Sequence, residues 1–193
     1  MATQPKRPDV TEAELKPTDA GLVPAGPGWF VVNAREARWV ERPGRGHNVP
    51  LTGWTDEEAE SWFRELGVNL VRLGSGEPIG MYHWEADAED FLMLAGDAVL
   101  IVEGEERELR DWDFVHCPPG TRHMIAGAGE RGCVVLAIGA RQHIGEHCNG
   151  GAYVMNEVAA RYGASPRDAE DPYADYADPR PTRYQDGWLP FGS

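Results

Sequence analysis

The sequence of 193 residues predicts an all-β fold, either a sandwich or a jelly-roll barrel, with two short helices beside it. Short runs of β-prone residues recur at near-regular spacing over residues 68–139, and turn residues separate them. Glycine and proline are plentiful, at 23 and 15 residues, as is typical of chains with many strands and turns. The length suits one domain rather than two.

The chain before the barrel region, residues 1–67, is predicted to be an N-terminal extension. Residues 1–28 are rich in proline and lack a sustained apolar period, so a flexible or surface-lying lead-in is expected. Two short strands are expected at residues 30–32 and 37–40. A capping box from Thr55 to Glu58, followed by apolar residues at helical spacing, predicts a short helix that ends at Gly67.

The predicted barrel core covers residues 68–140 and contains seven short strands. These are residues 69–73, 79–84, 91–94, 99–102, 114–117, 123–125 and 133–138. Turns are expected between them, including one at Gly96 and Asp97. Residues 141–193 are expected to form a second short helix, over residues 154–162, and an extended C-terminal arm.

The charge balance excludes two classes of partner. Acidic residues outnumber basic ones 32 to 18, which gives a net charge of −14. Nucleic acids and anionic membranes both require clustered Lys and Arg, so neither is an expected partner. No apolar run approaches the ~20 residues that span a bilayer, and the polar N-terminus lacks the apolar stretch of a secretory signal. Three cysteines without a CxxC pair favour a reducing compartment, so a cytoplasmic location is expected.

Two of the six histidines stand in a pattern that suits a metal site. His83 and Glu85 occupy positions i and i+2 of a predicted strand, so their side chains point to the same face. Glu89 can return to that face after a bend, and His123 follows the tight turn of Pro118 to Gly120. Two imidazoles and one or two carboxylates inside a barrel suit a divalent first-row metal. A cation would also offset the cost of burying a carboxylate.

These residues resemble the two motifs of the cupins, a family of small jelly-roll barrels. The first motif has the form G(x)5HxH(x)3–4E(x)6G, and its register is occupied by His83, Glu85, Glu89 and Gly96, with Gly76 one place from the leading glycine. The second motif, G(x)5PxG(x)2H(x)3N, is matched by Pro118, Gly120 and His123, while Trp112 and Gly127 replace its first glycine and its asparagine. The resemblance covers residues 68–139 and implies a single double-stranded β-helix barrel.

The main departure from the cupin pattern is Glu85, which stands where cupins usually place their second histidine. If Glu85 is a fourth ligand, a divalent ion is nearly neutralised, and harder ions such as Mn, Fe or Zn are favoured over Cu. If Glu85 turns outward, three ligands remain, as in the two-histidine, one-carboxylate sites of non-haem iron oxygenases. In a third interpretation, the barrel has lost its metal.

The resemblance implies a mononuclear metal-binding protein with one divalent transition metal per chain, Fe, Mn or Zn. Its ligands would be His83, Glu89 and His123, and Glu85 would be a fourth ligand or a catalytic base. The leading hypothesis is an Fe(II)-dependent oxygenase that acts on a small organic molecule. The alternatives are a non-catalytic small-molecule binding or sensing protein, with a structural metal or none, and a metal-dependent isomerase that uses Glu85 or another side chain as its base.

The alternation of side chains along the strands also predicts which residues line the substrate pocket, and their character indicates a class of substrate. Its expected lining residues are Met81, Phe91, Met93 and Ile125. This describes a largely apolar cavity, which suits a small, partly apolar or aromatic molecule better than a sugar phosphate. Since cupins of this size are commonly dimers, the resemblance also implies a homodimer.

Overall fold

The computed structural model describes residues 9–52 and 65–190, and strands dominate these parts of the chain. The strands before the barrel are β1 (Glu14–Thr18), β2 (Gly21–Ala25), β3 (Trp39–Glu41) and β4 (His47–Pro50). The barrel strands are β5 (Leu66–Leu73), β6 (His83–Trp84), β7 (Glu89–Val102), β8 (Glu105–Leu109), β9 (Phe114–Cys117) and β10 (His123–Ala140). After them come a 3-10 turn (His147–Gly150), β11 (Ala152–Tyr153), helix α1 (Glu157–Ala160) and β12 (Arg180–Thr182).

The barrel is built around the two long strands β7 and β10. These pair antiparallel, from Val102 opposite His123 to Glu89 opposite Gly139. The other edge of β10 pairs with β5 and β6, and the other edge of β7 pairs with β8 and β9, all antiparallel. This arrangement confirms the predicted all-β jelly-roll fold.

Alternate residues of these strands fill the barrel interior. On β7, Phe91 and Met93 are buried, while Leu92 and Leu94, which alternate with them, are only partly buried. The buried cluster consists of Val71, Leu73, Phe91, Met93, Ala98, Leu100, Leu109, Cys117, Ile125, Cys133 and Val135. Burial of each large apolar side chain contributes about 1.5–3 kcal/mol, so this cluster is a major source of the stability of the barrel.

The predicted turn at Gly96 and Asp97 is wrong, because β7 continues through both residues. Gly96 has a φ of 81°, and a Cβ at this position would collide with the backbone of Gly132. The register of β7 against β10 shifts at the same place. A glycine with positive φ therefore forms a β-bulge that bends the strand without reversing it.

The N-terminal extension contains more regular structure than its composition predicts. Strands β1 and β2 form an antiparallel hairpin, whereas the expected flexible or surface-lying lead-in contained no strand. The prolines that favoured a lead-in, Pro17 and Pro24, are tolerated because a two-stranded hairpin leaves N–H positions outside its hydrogen-bond ladder. Residues 30–32 form no strand, whereas β3 confirms part of the strand expected at residues 37–40. The predicted helix from Thr55 lies outside the described residues, apart from residues 65–67, of which Leu66 and Gly67 belong to β5.

The C-terminal segment lies back on the barrel. Helix α1 is shorter than predicted, and the Asn156 side chain caps it by accepting hydrogen bonds from two backbone N–H groups at 2.9 Å. Strand β12 then pairs antiparallel with β3, and Arg180 makes a bidentate ion pair with Glu41 at 2.7 and 2.9 Å. The sheet therefore extends beyond residues 68–140 through β4, β3 and β12.

Among the described helical segments, we find none with the length and apolar character needed to cross a membrane.

Candidate metal centre

Three strands bring the predicted ligands together at one end of the barrel. His123 is the first residue of β10 and lies opposite His83 of β6 in the antiparallel pairing. Their imidazole rings are 5.0 Å apart between centroids. Glu89 is the first residue of β7, and its Oε2 lies 3.1 Å from His123 Nε2 and 3.6 Å from His83 Nε2. The structure therefore brings His83, Glu89 and His123 together, as the sequence predicts.

Backbone hydrogen bonds orient both imidazole rings. The Nδ1 atom of His83 lies 2.7 Å from the carbonyl oxygen of Met81, and that of His123 lies 3.0 Å from the carbonyl oxygen of Thr121. Because a carbonyl oxygen can only accept, both Nδ1 atoms carry a hydrogen. In the neutral rings the lone pairs are consequently on the Nε2 atoms, which face Glu89. This is the usual arrangement of histidines that bind a metal.

Two atoms at the centre of the site lack a partner. Within the described parts of the chain, Glu89 Oε2 and His123 Nε2 are buried and make no hydrogen bond. They lie 3.1 Å apart, but in the neutral ring Nε2 carries a lone pair and the carboxylate oxygen can only accept, so neither atom donates to the other. Buried polar atoms without a partner are costly and require an explanation. Since the ligand atoms of His83, Glu89 and His123 all lie within 4.8 Å of one another, a shared cation explains them.

The electrostatics of the site also favour a cation. Burial raises the pKa of the Glu89 carboxyl, but the imidazoles of His123 and His83 outweigh burial and hold that pKa well below its ordinary value. Burial lowers the pKa of His123, whereas Cys117 and Glu89 raise it, to about 9. Both shifts show that the site favours positive charge next to Glu89, and a divalent cation bound there would supply it.

Glu85 lies beside this group of three ligands without belonging to it. Its Oε1 is 3.5 Å from His83 Nε2 and accepts a hydrogen bond of 2.8 Å from the Asn149 side chain. The carboxylate is thus held at the edge of the site by the segment that follows β10. Of the alternatives left by the sequence, this position favours three protein ligands with Glu85 nearby.

A cavity of about 450 Å³ opens onto the metal centre. Among the four predicted pocket residues, only Phe91 is one of its described lining residues. Met93 and Ile125 do point into the barrel, as strand parity predicts, but they belong to the packed core. Met81 is buried, and its carbonyl oxygen accepts the hydrogen bond from His83. The alternation of side chains along a strand predicts which residues point into the barrel. It does not predict which of those residues line the cavity and which pack in the core.

The prediction of a cavity with few polar anchors is wrong. Its lining includes Arg42, Arg45 and Arg141, as well as Asn48 and Asn69. Sequence reasoning missed the arginines because they lie outside both motifs. For Arg42 and Arg45 the sequence signal is the short run Arg42-Pro43-Gly44-Arg45-Gly46, which on its own indicates only a turn.

The segment after β10 forms one wall of the cavity, and a buried carboxylate anchors it. The two oxygens of Asp87 accept hydrogen bonds from the backbone N–H and from Nδ1 of His143, at 2.9 and 3.0 Å. Asp87 is 4% exposed. This anchor fixes the wall that carries Ile144, Cys148 and Asn149 against β6.

The anchor predicts a pH-dependent stability. The hydrogen bond to Asp87 raises the pKa of His143, so the stabilisation is fully present below the unfolded-state pKa of about 6.5 and is lost as the pH rises through the folded-state pKa. We expect His143→Gln to lower the melting temperature more at pH 6 than at pH 9, as measured by thermal unfolding. An equal loss at both pH values would contradict a contribution from the protonated ring.

Comparison with known proteins matches residues 69–139 to the cupin domain family. No protein of curated function is significantly similar to the sequence. A solved structure from Silicibacter pomeroyi, a sugar phosphate isomerase of the cupin superfamily, is 22% identical over 57% of this chain and 63% of its own, with a TM-score of 0.44. A protein from Acidithiobacillus ferrooxidans, assigned as a sugar phosphate isomerase, is 25% identical over 52% of this chain and 63% of its own, with a TM-score of 0.43. A cupin-like protein from Thermotoga maritima is 19% identical over 67% of this chain and 90% of its own, with a TM-score of 0.46. The chain thus spans less than two thirds of the first two structures.

Proposed function

We propose that the protein is a mononuclear metalloenzyme, because residues 69–139 match the cupin domain family and His83, Glu89 and His123 form a group that could hold one metal ion. Its reaction would be that of an Fe(II)-dependent dioxygenase acting on a small organic molecule. In such a reaction both atoms of O₂ enter the substrate, and the substrate supplies the electrons, so no separate reductant is required.

The observation that carries this proposal is the composition of the ligand set next to a cavity. Two imidazoles and one carboxylate are the protein ligands of the non-haem Fe(II) oxygenases, which keep further coordination positions open. Fe(II), when bound by His83, Glu89 and His123, would supply the redox chemistry that activates O₂. The adjoining cavity, of about 450 Å³, has room for a small substrate.

Other groups around the three candidate ligands have defined roles in this proposal. The carbonyl oxygens of Met81 and Thr121 hold the two imidazoles in the tautomer that binds metal. Phe91 packs against the His123 ring, with centroids 5.4 Å apart, and gives that side of the ring an apolar neighbour. Glu85, which Asn149 holds in place, can accept a proton from a substrate at the edge of the site.

Metal content and O₂ uptake test the proposal together. We expect protein purified without added metal to contain Fe or Mn at close to one ion per chain by inductively coupled plasma analysis. After loading with Fe(II), it should consume O₂ with at least one member of a panel of small thiols, diketones, phenols and carboxylic acids. Fully metallated protein that takes up no O₂ with any of them would contradict a dioxygenase.

A metal-dependent isomerase is the second candidate, and the position of Glu85 favours it. This carboxylate lies 3.5 Å from His83 Nε2 but outside the ligand group, so it is available as a general base. Turnover under strictly anaerobic conditions separates the candidates, because only the isomerase proceeds without O₂. A non-catalytic binding protein would instead keep its ligand affinity after a chelator removes the metal.

A further inference from the structure

Two arginines of the turn between β3 and β4, Arg42 and Arg45, lie in the wall of the cavity that contains the metal centre. Arg45 is only 5% exposed. The Nε atoms of both side chains are buried and make no hydrogen bond with any described residue. Over residues 9–52 and 65–190, neither guanidinium has a carboxylate within ion-pair distance, although Asp and Glu far outnumber Lys and Arg in the chain.

A buried guanidinium without a counter-ion is energetically unfavourable. Charged groups are buried in proteins when they are paired, because desolvation of a lone charge costs several kcal/mol. Here two like charges lie close enough to affect each other, and burial together with the charge of Arg45 lowers the pKa of Arg42. An anion that enters the cavity would offset both costs. Arginine suits this task because its N–H groups match the oxygens of carboxylates and phosphates.

The turn holds the arginines in place before any ligand binds. The backbone N–H of Arg45 donates to the carbonyl oxygen of Arg42 at 2.7 Å, and that of Arg42 donates to the carbonyl oxygen of Gly46 at 2.9 Å. Gly46 has a φ of 74°, and a Cβ there would collide with the backbone of Arg72, so the turn requires glycine. The Arg45 guanidinium also stacks on Tyr173, 4.1 Å from the ring centroid.

A purely structural role accounts for only part of this arrangement. Stacking of Arg45 on Tyr173 and Tyr176 helps to hold the C-terminal segment. That contact needs one cation, and it explains neither the unpaired Nε of Arg42 nor the placement of both arginines along a cavity. A bound anion accounts for both observations.

We propose that Arg42 and Arg45 bind the carboxylate or phosphate group of a small anionic molecule in the cavity. That this molecule is the substrate, with its reactive part at His83, Glu89 and His123, rests on the proposed function. The substrate class is therefore a small organic acid or phosphate ester, in place of the apolar or aromatic molecule that the sequence favours.

Calorimetric titrations with charged probes and their neutral counterparts test the arginine site. The probes are glycerol 3-phosphate against glycerol, and succinate against succinamide, so the two pairs distinguish a phosphate from a carboxylate. Each is titrated into the full-length protein as purified and after treatment with a chelator. We expect at least one charged probe to bind roughly tenfold or more tightly than its neutral counterpart, with or without metal.

Arginine variants assign this binding to particular residues. Arg42→Gln and Arg45→Gln should each weaken binding of the charged probe roughly tenfold or more, while Arg107→Gln, at an exposed position of β8, should leave it unchanged. Circular dichroism checks that each variant is folded, and Arg45→Lys replaces Arg45→Gln if the latter is not. The lysine keeps the charge but loses the two-pronged hydrogen bonding, so it should also weaken binding.

Three results would overturn the proposal: equal affinity for charged and neutral probes, unchanged affinity in both arginine variants, or binding that disappears with the metal regardless of the arginines. These results are independent of the proposed dioxygenase activity. If the protein binds anions through Arg42 and Arg45 but consumes no O₂, the proposed arginine site is supported and the proposed dioxygenase reaction is contradicted. If wild-type protein and both arginine variants oxidise neutral substrates equally well, the proposed reaction is supported and the arginine site is contradicted.

Discussion

Replacing His123 with glutamine is expected to lower the affinity for metal by about 100-fold or more, and activity should disappear with the metal. His123 is 2% exposed, and its Nε2 is one of three atoms that converge on the centre. Glutamine preserves much of the volume and the polarity, but it presents no imidazole lone pair in a fixed direction. Metal content by inductively coupled plasma analysis and calorimetric titration with Mn²⁺ measure the loss without any assumption about the substrate.

A matched histidine elsewhere in the barrel serves as the control for this variant. His116 on β9 is exposed and pairs with Asp90 at the surface, away from the cavity lining. His116→Gln should leave metal content and affinity at wild-type values. If both glutamine variants retained one ion per chain, or both lost it equally, the assignment of His123 as a ligand would be wrong.

Truncating Trp39 to alanine is expected to destabilise the protein by about 3–5 kcal/mol. Trp39 is fully buried beneath the C-terminal segment, with its ring centroid 5.1 Å from that of Trp188 and 5.9 Å from that of Tyr184. Its Nε1 donates a hydrogen bond of 2.8 Å to the carbonyl oxygen of Ala34. The substitution removes this packing and leaves a cavity, so the free energy of unfolding measured with urea should fall.

The same variant should also loosen the end of the chain. With Trp39 absent, Tyr184 and Trp188 lose their ring contacts with it, and limited proteolysis should cleave this segment faster. Trp112→Ala is the matched control. Because Trp112 is 64% exposed, its truncation should lower the free energy of unfolding by less than about 1 kcal/mol. Similar losses for the two tryptophans would contradict a special role for Trp39 in holding the C-terminal segment.

The parts of the fold that could be predicted depend on local patterns. Side chains alternate between the two faces of a strand, so Phe91 and Met93 can be assigned to the inner face of β7 from the sequence. The turn at Pro118 to Gly120 and the spacing of His83 and Glu89 are local as well, and the predicted ligands do converge. The bulge at Gly96 could not be told from a turn, since both use a glycine with positive φ, and only the partner strand distinguishes them.

The sequence by itself determined the all-β barrel, the resemblance to cupins, and the three side chains that form the candidate metal centre. Only the tertiary structure decided that Arg42 and Arg45 share the cavity with those ligands, that Glu85 stands beside them, and that the C-terminal segment returns to pair with β3. The physical reason is the range of the interactions involved. Strand alternation and turn chemistry act between residues that are close in the chain. Burial of a charge, and the absence of a counter-ion for it, depend on neighbours that are brought together only when the whole chain has folded.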